Sequence, residues 1–240
     1  MKKNLSNTII GSGFIAKSFY SHLDKLKKLN ICLYAAGVSN SQSSNNQLLE
    51  KDKNRIIDFS KTHDQTKKLV YISTCSAEDP SRNQNPYVKN KLYIEKILSN
   101  SFDNFLIIRF PEVVGKNSNN TTLINFFYNN IKSKKKFEIW TKAKRNIIDI
   151  EDAVFLTLNF LENSNLNNTT INIANPFSYN VQDIVKNIES LINIKASYKL
   201  IDAGSDDWNI DISKISETIK NNKNIFGKNY LYKILKKYYF

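Results

Sequence analysis

Cysteine and histidine are scarce in this sequence of 240 residues, which contains two of each. The cysteines, Cys32 and Cys75, lie far apart in apolar segments, so they have the spacing of neither a metal site nor a disulfide framework. The histidines, His22 and His63, lie outside the motifs described below, and no cluster of carboxylates accompanies them. The sequence therefore argues against a catalytic metal, and its two isolated thiols favour a reducing compartment.

Long apolar runs are also lacking. No segment approaches the ~18 consecutive apolar residues of a membrane span. Gly11, Ser12 and Gly13 interrupt the apolar stretch near the start of the sequence, so we expect no signal peptide. Hydrophobic residues nevertheless make up 41% of the chain, which is enough for a core. We expect a soluble, cytoplasmic protein with one domain, or one domain and a smaller lobe.

The formal net charge is +13, and the lysines that produce it are scattered along the chain. One tight basic cluster lies at residues 132–136, without interleaved aromatic residues or a nucleic-acid-binding motif. A solvated basic surface is the simpler interpretation, and attraction to anionic partners is the alternative. We predict no nucleic-acid partner, because a small substrate that carries phosphate would explain local positive charge equally well.

Predicted strands and helices alternate through the first 110 residues. The apolar patterns predict strands at 8–10, 31–36, 68–73 and 105–110, and helices at 14–29, 47–63 and 87–99. This alternation is typical of a parallel sheet with helices on both faces. Further on, the patterns predict helices at 121–132, 152–161 and 180–192 and strands at 137–140 and 170–174. We expect a core domain from residues 1–115 and 147–175, and a small C-terminal substrate lobe from 116–146 and 176–240.

A glycine turn follows the first predicted strand and opens the first predicted helix. Its sequence is Gly11-Ser12-Gly13, followed by Phe14, Ile15 and Ala16. This context is that of a dinucleotide fingerprint, because glycines let the backbone approach a pyrophosphate and the helix supplies free N–H groups. We predict the phosphate half of a dinucleotide site here, and the alternative is an ordinary tight turn.

Hydroxyl and amine groups follow the third predicted strand. Tyr87 and Lys91 share one face of a predicted helix, and a nearby ammonium would favour the tyrosinate and lower the pKa of Tyr87. Ser73 and Thr74 end the preceding strand, where the ligand crevice of a parallel sheet opens. The Thr74 hydroxyl therefore either binds substrate or caps the end of the strand.

These elements together resemble the extended branch of the short-chain dehydrogenase/reductase superfamily, which contains nucleotide-sugar epimerases, dehydratases and reductases. The segments that carry the resemblance follow one another along most of the chain, at residues 11–16, 34–39, 71–74, 87–91, 108–115, 144–153 and 171–175. The resemblance implies a Rossmann-like sheet. It also implies an NAD or NADP cofactor, which the sequence does not distinguish, and a nucleotide-sugar substrate.

The resemblance also implies roles for individual residues. Tyr87 would move a proton to or from the sugar, Lys91 would lower its pKa and hold the nicotinamide ribose, and Thr74 would polarise the reacting oxygen. Tyr87 and Lys91 would share the cofactor contacts with Gly11, Ser12, Gly13, Phe14, Ile15, Ala35, Ala36, Gly37, Ser73, Arg109 and Pro111. The substrate would contact Cys75, Ser76, Val113 and Arg145, with Arg145 on its diphosphate.

Two features depart from that branch. The turn has the spacing Gly-x-Gly-x-x-Ala, and only about twenty residues separate it from the strand at Ile31. A strand–helix–strand unit that normally lies between these points is missing, together with the residue that reads the adenosine ribose. We therefore expect a sheet with fewer strands and a differently built adenosine site.

The resulting hypothesis is an NAD(P)-dependent nucleotide-sugar epimerase or 4-keto-sugar reductase of surface polysaccharide (O-antigen or capsule) biosynthesis. The alternative is a non-catalytic dinucleotide sensor or scaffold with the same fold. A dehydratase ranks lower, because Cys75 and Ser76 occupy the places of an expected Asp-Glu pair. A homodimer is a further hypothesis from the resemblance.

Overall fold

A computed structural model describes residues 8–38, 46–117, 119–204, 209–222 and 225–240. The strands in these residues are β1 (Ile9–Ile10), β2 (Ile31–Tyr34), β3 (Lys68–Thr74), β4 (Phe105–Phe110), β5 (Glu112–Val114), β6 (Phe137–Trp140), β7 (Lys144–Asp149), β8 (Thr169–Asn172), β9 (Ser178–Asn180) and β10 (Tyr198–Ile201). The α-helices are α1 (Phe14–Ser18), α2 (Leu23–Lys28), α3 (Asn46–Thr62), α4 (Pro86–Ser101), α5 (Leu123–Lys132), α6 (Ile150–Asn163), α7 (Val181–Ile192), α8 (Ser216–Asn221) and α9 (Tyr230–Tyr239). None of these helices is long and apolar enough to cross a membrane.

The central sheet contains five parallel strands in the order β1–β2–β3–β4–β8. Alternate side chains of the strands point to opposite faces, and both faces are apolar. One face, with Leu33 and Ile108 among its residues, packs against α1, α2 and α6. The other face, with Tyr71 and Ile107, packs against α3 and α4. The predicted Rossmann-like α/β class is confirmed.

The first connection of the sheet differs in hand from the next one. The β1–β2 connection through α1 and α2 and the β2–β3 connection through α3 both step to the neighbouring parallel strand in the same direction. Their helices lie on opposite faces, so the two crossovers have opposite hands. About 98% of such crossovers are right-handed. One of these two connections therefore departs from the usual hand, and the β1–β2 connection is the short one, where the missing strand–helix–strand unit was noted.

The continuous helix predicted at 14–29 is wrong. The structure has a five-residue helix α1, a single 3₁₀ turn at Tyr20–His22, and then α2. The Ser18 hydroxyl donates to the carbonyl of Phe14 at 2.9 Å, a bond that bends helices. The Tyr20 hydroxyl turns back and donates to the carbonyl of Gly11 at 3.1 Å. The helix dipole behind the glycine turn is therefore smaller than the sequence predicted.

A second hydrophobic cluster lies beyond the main sheet, around α5, β6, α7 and α9. Helix α9 was not predicted individually, although Leu231, Ile234 and Leu235 form its buried side. Two small sheets, β5–β7–β9 and β6–β10, connect this cluster to the core. Most of its residues fall in the segments assigned to the substrate lobe, and the domain boundaries stay a prediction.

Candidate active site

The glycine turn lies where β1 ends beside the end of β2. Gly11 has a φ of +132°, and a Cβ built on it would lie 2.6 Å from the carbonyl oxygen of Ala35. Gly11 therefore lets two backbone segments touch where any side chain would separate them. A Cβ on Gly13 would meet no atom within 4 Å, so this side of the turn is open. Phe14 and Ile15 pack against the core, which leaves their backbone N–H groups as their contribution to a site.

The end of β3 brings Thr74 to the same carboxyl edge of the sheet. Thr74 is 9% exposed, and its Oγ1 accepts a hydrogen bond from the N–H of Ser76 at 3.2 Å. This bond caps the 3₁₀ turn at Cys75–Glu78, as the cap interpretation predicts. The bond uses a lone pair of Oγ1, so the hydroxyl hydrogen of Thr74 is still available to a ligand.

Lys91 on helix α4 also lies at this edge, beside the end of β3. Asn85 caps the helix by accepting from the N–H groups of Tyr87 and Val88, and Pro86 occupies its first turn. The Lys91 Nζ donates to the Tyr71 hydroxyl at 3.0 Å and to the carbonyl of Ile72 at 3.4 Å. Burial lowers the pKa of Lys91, and the charges of Asp52 and Glu95 oppose that shift.

Tyr87 lies near a group of charged side chains that were not predicted to act together. The Lys91 Nζ is 5.9 Å from the centre of the Tyr87 ring. Burial raises the pKa of Tyr87, and the charge of Glu112 raises it further, whereas Arg82 lowers it. The expected lowering of this pKa by Lys91 is therefore not seen, because burial and carboxylates dominate.

Glu112 links Tyr87 to the predicted substrate residue Arg145. Burial raises the pKa of Glu112, while Arg145 and Arg82 lower it, and one carboxylate oxygen accepts from the N–H of Leu123 at 3.1 Å. Burial lowers the pKa of Arg145, whose Nη1 donates to the carbonyl of Lys144 at 2.7 Å. Tyr87, Glu112, Arg82 and Arg145 are half-buried and thus form one electrostatic group.

Two predicted cofactor residues, Ser73 and Arg109, belong instead to a buried network. Glu95 accepts from Ser73 Oγ at 2.5 Å and from Arg109 Nε at 2.9 Å and Nη2 at 2.5 Å. Arg109 Nη1 also donates to Glu78 at 2.6 Å. Each of these groups therefore has a protein partner, which favours a role in joining α4 to the sheet over contact with a cofactor.

The expectation that Cys75 contacts substrate is not supported. Its side chain is 1% exposed, and its thiol donates to the carbonyl of Arg109 at 3.3 Å. Burial raises the pKa of the thiol, which makes it a poor acid or base at neutral pH. The half-buried Ser76, Pro111 and Val113 remain candidates. Ala35, Ala36 and Gly37 follow β2, and a Cβ on Gly37 would lie 3.3 Å from the Lys91 Nζ.

Sequence reasoning missed four charged residues that contact or neighbour the predicted site: Asp52, Arg82, Glu95 and Glu112. Glu112 lies inside a segment that carried the family resemblance, so its acidic side chain was a signal. Asp52 lies among other charged residues of α3, and no pattern in the sequence marks it as buried.

The parallel sheet with helices on both faces and the glycine turn define a Rossmann-like α/β protein. A sequence model of the NAD dependent epimerase/dehydratase family matches residues 23–174, more than half of the 240-residue chain. The chain therefore belongs to the NAD dependent epimerase/dehydratase family, and the predicted resemblance is confirmed. The matched region contains Thr74, Tyr87 and Lys91 and begins after the glycine turn. No curated protein sequence matches the chain.

Solved structures share the fold across most of the chain. RMD from Pseudomonas aeruginosa, complexed with NADPH, has a TM-score of 0.70 at 13% identity, with 96% of this chain and 98% of RMD covered. UDP-glucuronic acid 4-epimerase from Bacillus cereus, in complex with UDP-glucuronic acid and NAD, has a TM-score of 0.69 at 18% identity, with 89% and 75% covered. UDP-N-acetylglucosamine 4-epimerase from the same organism has a TM-score of 0.66 at 16% identity, with 96% of each chain covered. These likenesses show the fold, and the predicted NAD or NADP cofactor agrees with the family.

Proposed function

We propose that this protein is an NAD(P)-dependent enzyme that reduces or epimerises a nucleotide sugar through its 4-keto form. The observation that supports this most strongly is the position of Lys91, whose Nζ lies 5.9 Å from the centre of the Tyr87 ring and 3.4 Å from the Ile72 carbonyl of the strand that Thr74 ends. The titratable groups around Tyr87 are shifted by burial and by specific charges, as is common at catalytic sites. Family membership supports the reaction class.

The glycine turn fits the phosphate half of a nicotinamide dinucleotide. Gly11 brings the backbones of β1 and β2 together, and the space beside Gly13 is free of protein atoms within 4 Å of a built Cβ. The backbone N–H groups that follow Gly13 would bind the pyrophosphate, and the third N–H of Lys91 would reach a ribose hydroxyl. The bound nicotinamide would supply or accept hydride.

The protein's own residues would handle the substrate. Thr74 would donate its free hydroxyl hydrogen to the reacting oxygen, and Tyr87 would give a proton to that oxygen or take one from it. Arg145 and Arg82 would orient the anionic part of the substrate, since a guanidinium matches phosphate or carboxylate oxygens. The negative charge of Glu112 opposes the binding of further negative charge in this region.

Reduction and epimerisation stay equal candidates, because both need Tyr87 to exchange a proton with the reacting oxygen. Burial and Glu112 raise the pKa of the Tyr87 phenol, which makes it a weaker acid in the protein alone. Surface polysaccharide biosynthesis in the cytoplasm is the setting we propose for the reaction, because it consumes such sugars.

A panel of nucleotide sugars and nucleotide 4-keto sugars, offered with NADH and NADPH, tests the proposal by absorbance and product NMR. We expect turnover with at least one 4-keto sugar. Tyr87→Phe should abolish turnover while it leaves cofactor affinity, measured by NAD(P)H fluorescence, nearly unchanged. Retained turnover would remove Tyr87 from the mechanism, and cofactor binding without turnover on any sugar would favour the sensor or scaffold alternative.

A further inference from the structure

Lys91 is a buried cation whose hydrogen-bond partners are neutral. The residue is 5% exposed, and its Nζ bonds only to the Tyr71 hydroxyl and the Ile72 carbonyl among the described residues. Neutral partners do not offset the cost of moving an ammonium group out of water. A buried lysine without a counter-charge loses its proton instead. Lys91 therefore needs a carboxylate nearby to stay charged.

Asp52 on helix α3 is placed to supply that charge. It is 2% exposed, and its Oδ2 accepts from the N–H of Val38 and from Asn90 Nδ2, both at 3.3 Å. Asn90 is the neighbour of Lys91 in α4, so this bond ties the carboxylate to the helix that carries the lysine. A Cβ built on Gly37 would lie 3.2 Å from Asp52 Oδ2 and 3.3 Å from Lys91 Nζ. The two charges thus border the same small space.

The other charges around Lys91 are partly compensated or remote. Glu95 forms two hydrogen bonds with Arg109, which Glu78 also contacts, so only part of the charge of Glu95 is offset. Arg55 is 3.8 Å from Asp52 Oδ1, but its side chain is 53% exposed and its charge is screened by water. The facing phenols are neutral at neutral pH, because burial raises the pKa of each: Tyr34, Tyr71 and Tyr87. Asp52 thus has the larger share in balancing Lys91, and Glu95 has the smaller one.

We propose that Asp52 is a positioning residue for Lys91, whose buried carboxylate keeps the lysine charged and fixed at the end of β3. Tyr71 and Ile72 take two of the three N–H donors of a charged Nζ, so one donor remains for Tyr87 or a cofactor hydroxyl. The catalytic use of that donor rests on the function proposed above. The protonation of Lys91 is a property of the protein alone and can be measured without substrate.

The test is an NMR titration of lysine side chains labelled with ¹³C and ¹⁵N, with the Lys91 signal assigned by its loss in Lys91→Arg. Asp52→Asn keeps the size of the side chain and an acceptor oxygen but removes the charge. We expect it to lower the pKa of Lys91 by about one to three units, the usual effect of an opposite charge at short range. Asp52→Glu should recover part of the shift.

The matched control is Asp58→Asn on the same helix, where the carboxylate is 74% exposed and paired with Lys61. It should leave the pKa of Lys91 unchanged. An unchanged pKa in Asp52→Asn as well would overturn the proposal. If turnover is found, the pH dependence of kcat/KM should move with the Lys91 pKa in Asp52→Asn but not in Asp58→Asn. A protein without turnover would refute the proposed function and leave the NMR result standing.

Should Asp52→Asn fail to fold, the wild-type protein still decides the question. The ¹⁵N chemical shift of Lys91 Nζ should then be that of an ammonium group at neutral pH. The shift of a neutral amine would refute the proposal.

Discussion

At the scale of single residues, Arg109 is a buried charge with two acidic partners. It is 9% exposed and lies between Glu95 and Glu78, and the Asn172 amide donates to Glu78 at 3.0 Å. These contacts join α4, the turn after β3, and the strands β4 and β8. Removing one partner of a buried ion pair leaves the other charge uncompensated, so the network should be sensitive to single substitutions.

Glu95→Gln should therefore lower the free energy of unfolding by about 1.5–3 kcal/mol, the usual contribution of hydrogen bonds to a charged group. The substitution keeps the shape of the side chain and leaves Arg109 with Glu78 as its acidic partner. Urea denaturation followed by circular dichroism measures the change. Glu50→Gln is the control, because Glu50 is 59% exposed in a surface pair with Lys53 and should cost no more than about 1 kcal/mol. Equal losses in the two variants would contradict the structural role of Glu95.

Substitutions of Glu112 and Arg82 should shift the pH dependence of the reaction in opposite directions. A proton donor must hold its proton, so the rate of reduction falls as the pH rises through the pKa of Tyr87. The charge of Glu112 raises that pKa and the charge of Arg82 lowers it. Glu112→Gln should accordingly move the alkaline limb of kcat/KM to lower pH, and Arg82→Gln should move it to higher pH. Shifts of the same sign in both variants would show that another group titrates.

At the scale of elements, α4 was predicted well because its signals are local. The Asn85-Pro86 sequence marks the start of the helix, and the apolar spacing marks its buried side. The interruption between α1 and α2 could not be predicted, because it depends on side chains that bond back to the chain, such as Tyr20 to Gly11. The pairing of Asp52 with Lys91 was equally hidden, because charged residues on a helix usually face water.

Substitutions at the two glycines of the turn should separate effects on folding from effects on cofactor binding. Gly11→Ala places a Cβ 2.6 Å from the Ala35 carbonyl oxygen at a φ of +132°, so we expect lower stability and no NAD(P)H binding. Gly13→Ala meets no atom within 4 Å and has a φ of −77°, so its melting temperature should match the wild type. If Gly13 faces the pyrophosphate, this second variant should still weaken NAD(P)H binding measured by fluorescence. Wild-type affinity in Gly13→Ala would move the phosphate site away from the turn.

At the scale of the whole molecule, the fold class was readable from the alternation of strands and helices, whereas the unusual crossover was not. Hydrophobic patterns identify the elements, but the hand of a connection depends on which face each helix covers. The charged groups of the candidate site come from α3, the turn that ends at Arg82, α4, β5 and β7, and only packing brings them together. Local signals therefore predicted Tyr87 and Lys91 as site residues, but not the partners that shift their pKa values.

The homodimer hypothesis concerns the outer side of α3 and α4. This side carries large apolar residues that are exposed in one subunit, namely Leu48 at 46%, Leu92 at 38% and Tyr93 at 47%. We expect sedimentation velocity to find a dimer at micromolar concentration, and Leu92→Asp to dissociate it. Leu200→Asp is the control, because Leu200 is 48% exposed on β10 and should have no effect. A monomeric wild-type protein would remove the hypothesis.

The sheet ends at β1 in the part of the chain that the structure describes. Among the described residues no strand beyond β1 offers an acidic or basic residue to the adenosine ribose, so we expect little discrimination for or against a 2′-phosphate. We expect dissociation constants for NADH and NADPH within about tenfold of each other, or about 1.4 kcal/mol. Fluorescence titrations at low and high salt separate this from the general attraction of a positively charged surface. A much larger preference at high salt would show that a specific residue recognises the 2′-phosphate.

Cells keep NADH and NADPH in separate balances, one tied to the breakdown of nutrients and the other to biosynthesis. An enzyme whose sheet stops before the adenosine ribose would take electrons from whichever of the two carriers is more abundant and more reduced. Its output would then follow the supply of reductant rather than the demand for a particular sugar. The loss of two strands from the edge of a sheet would in this way connect the making of one product to the nutritional state of the cell.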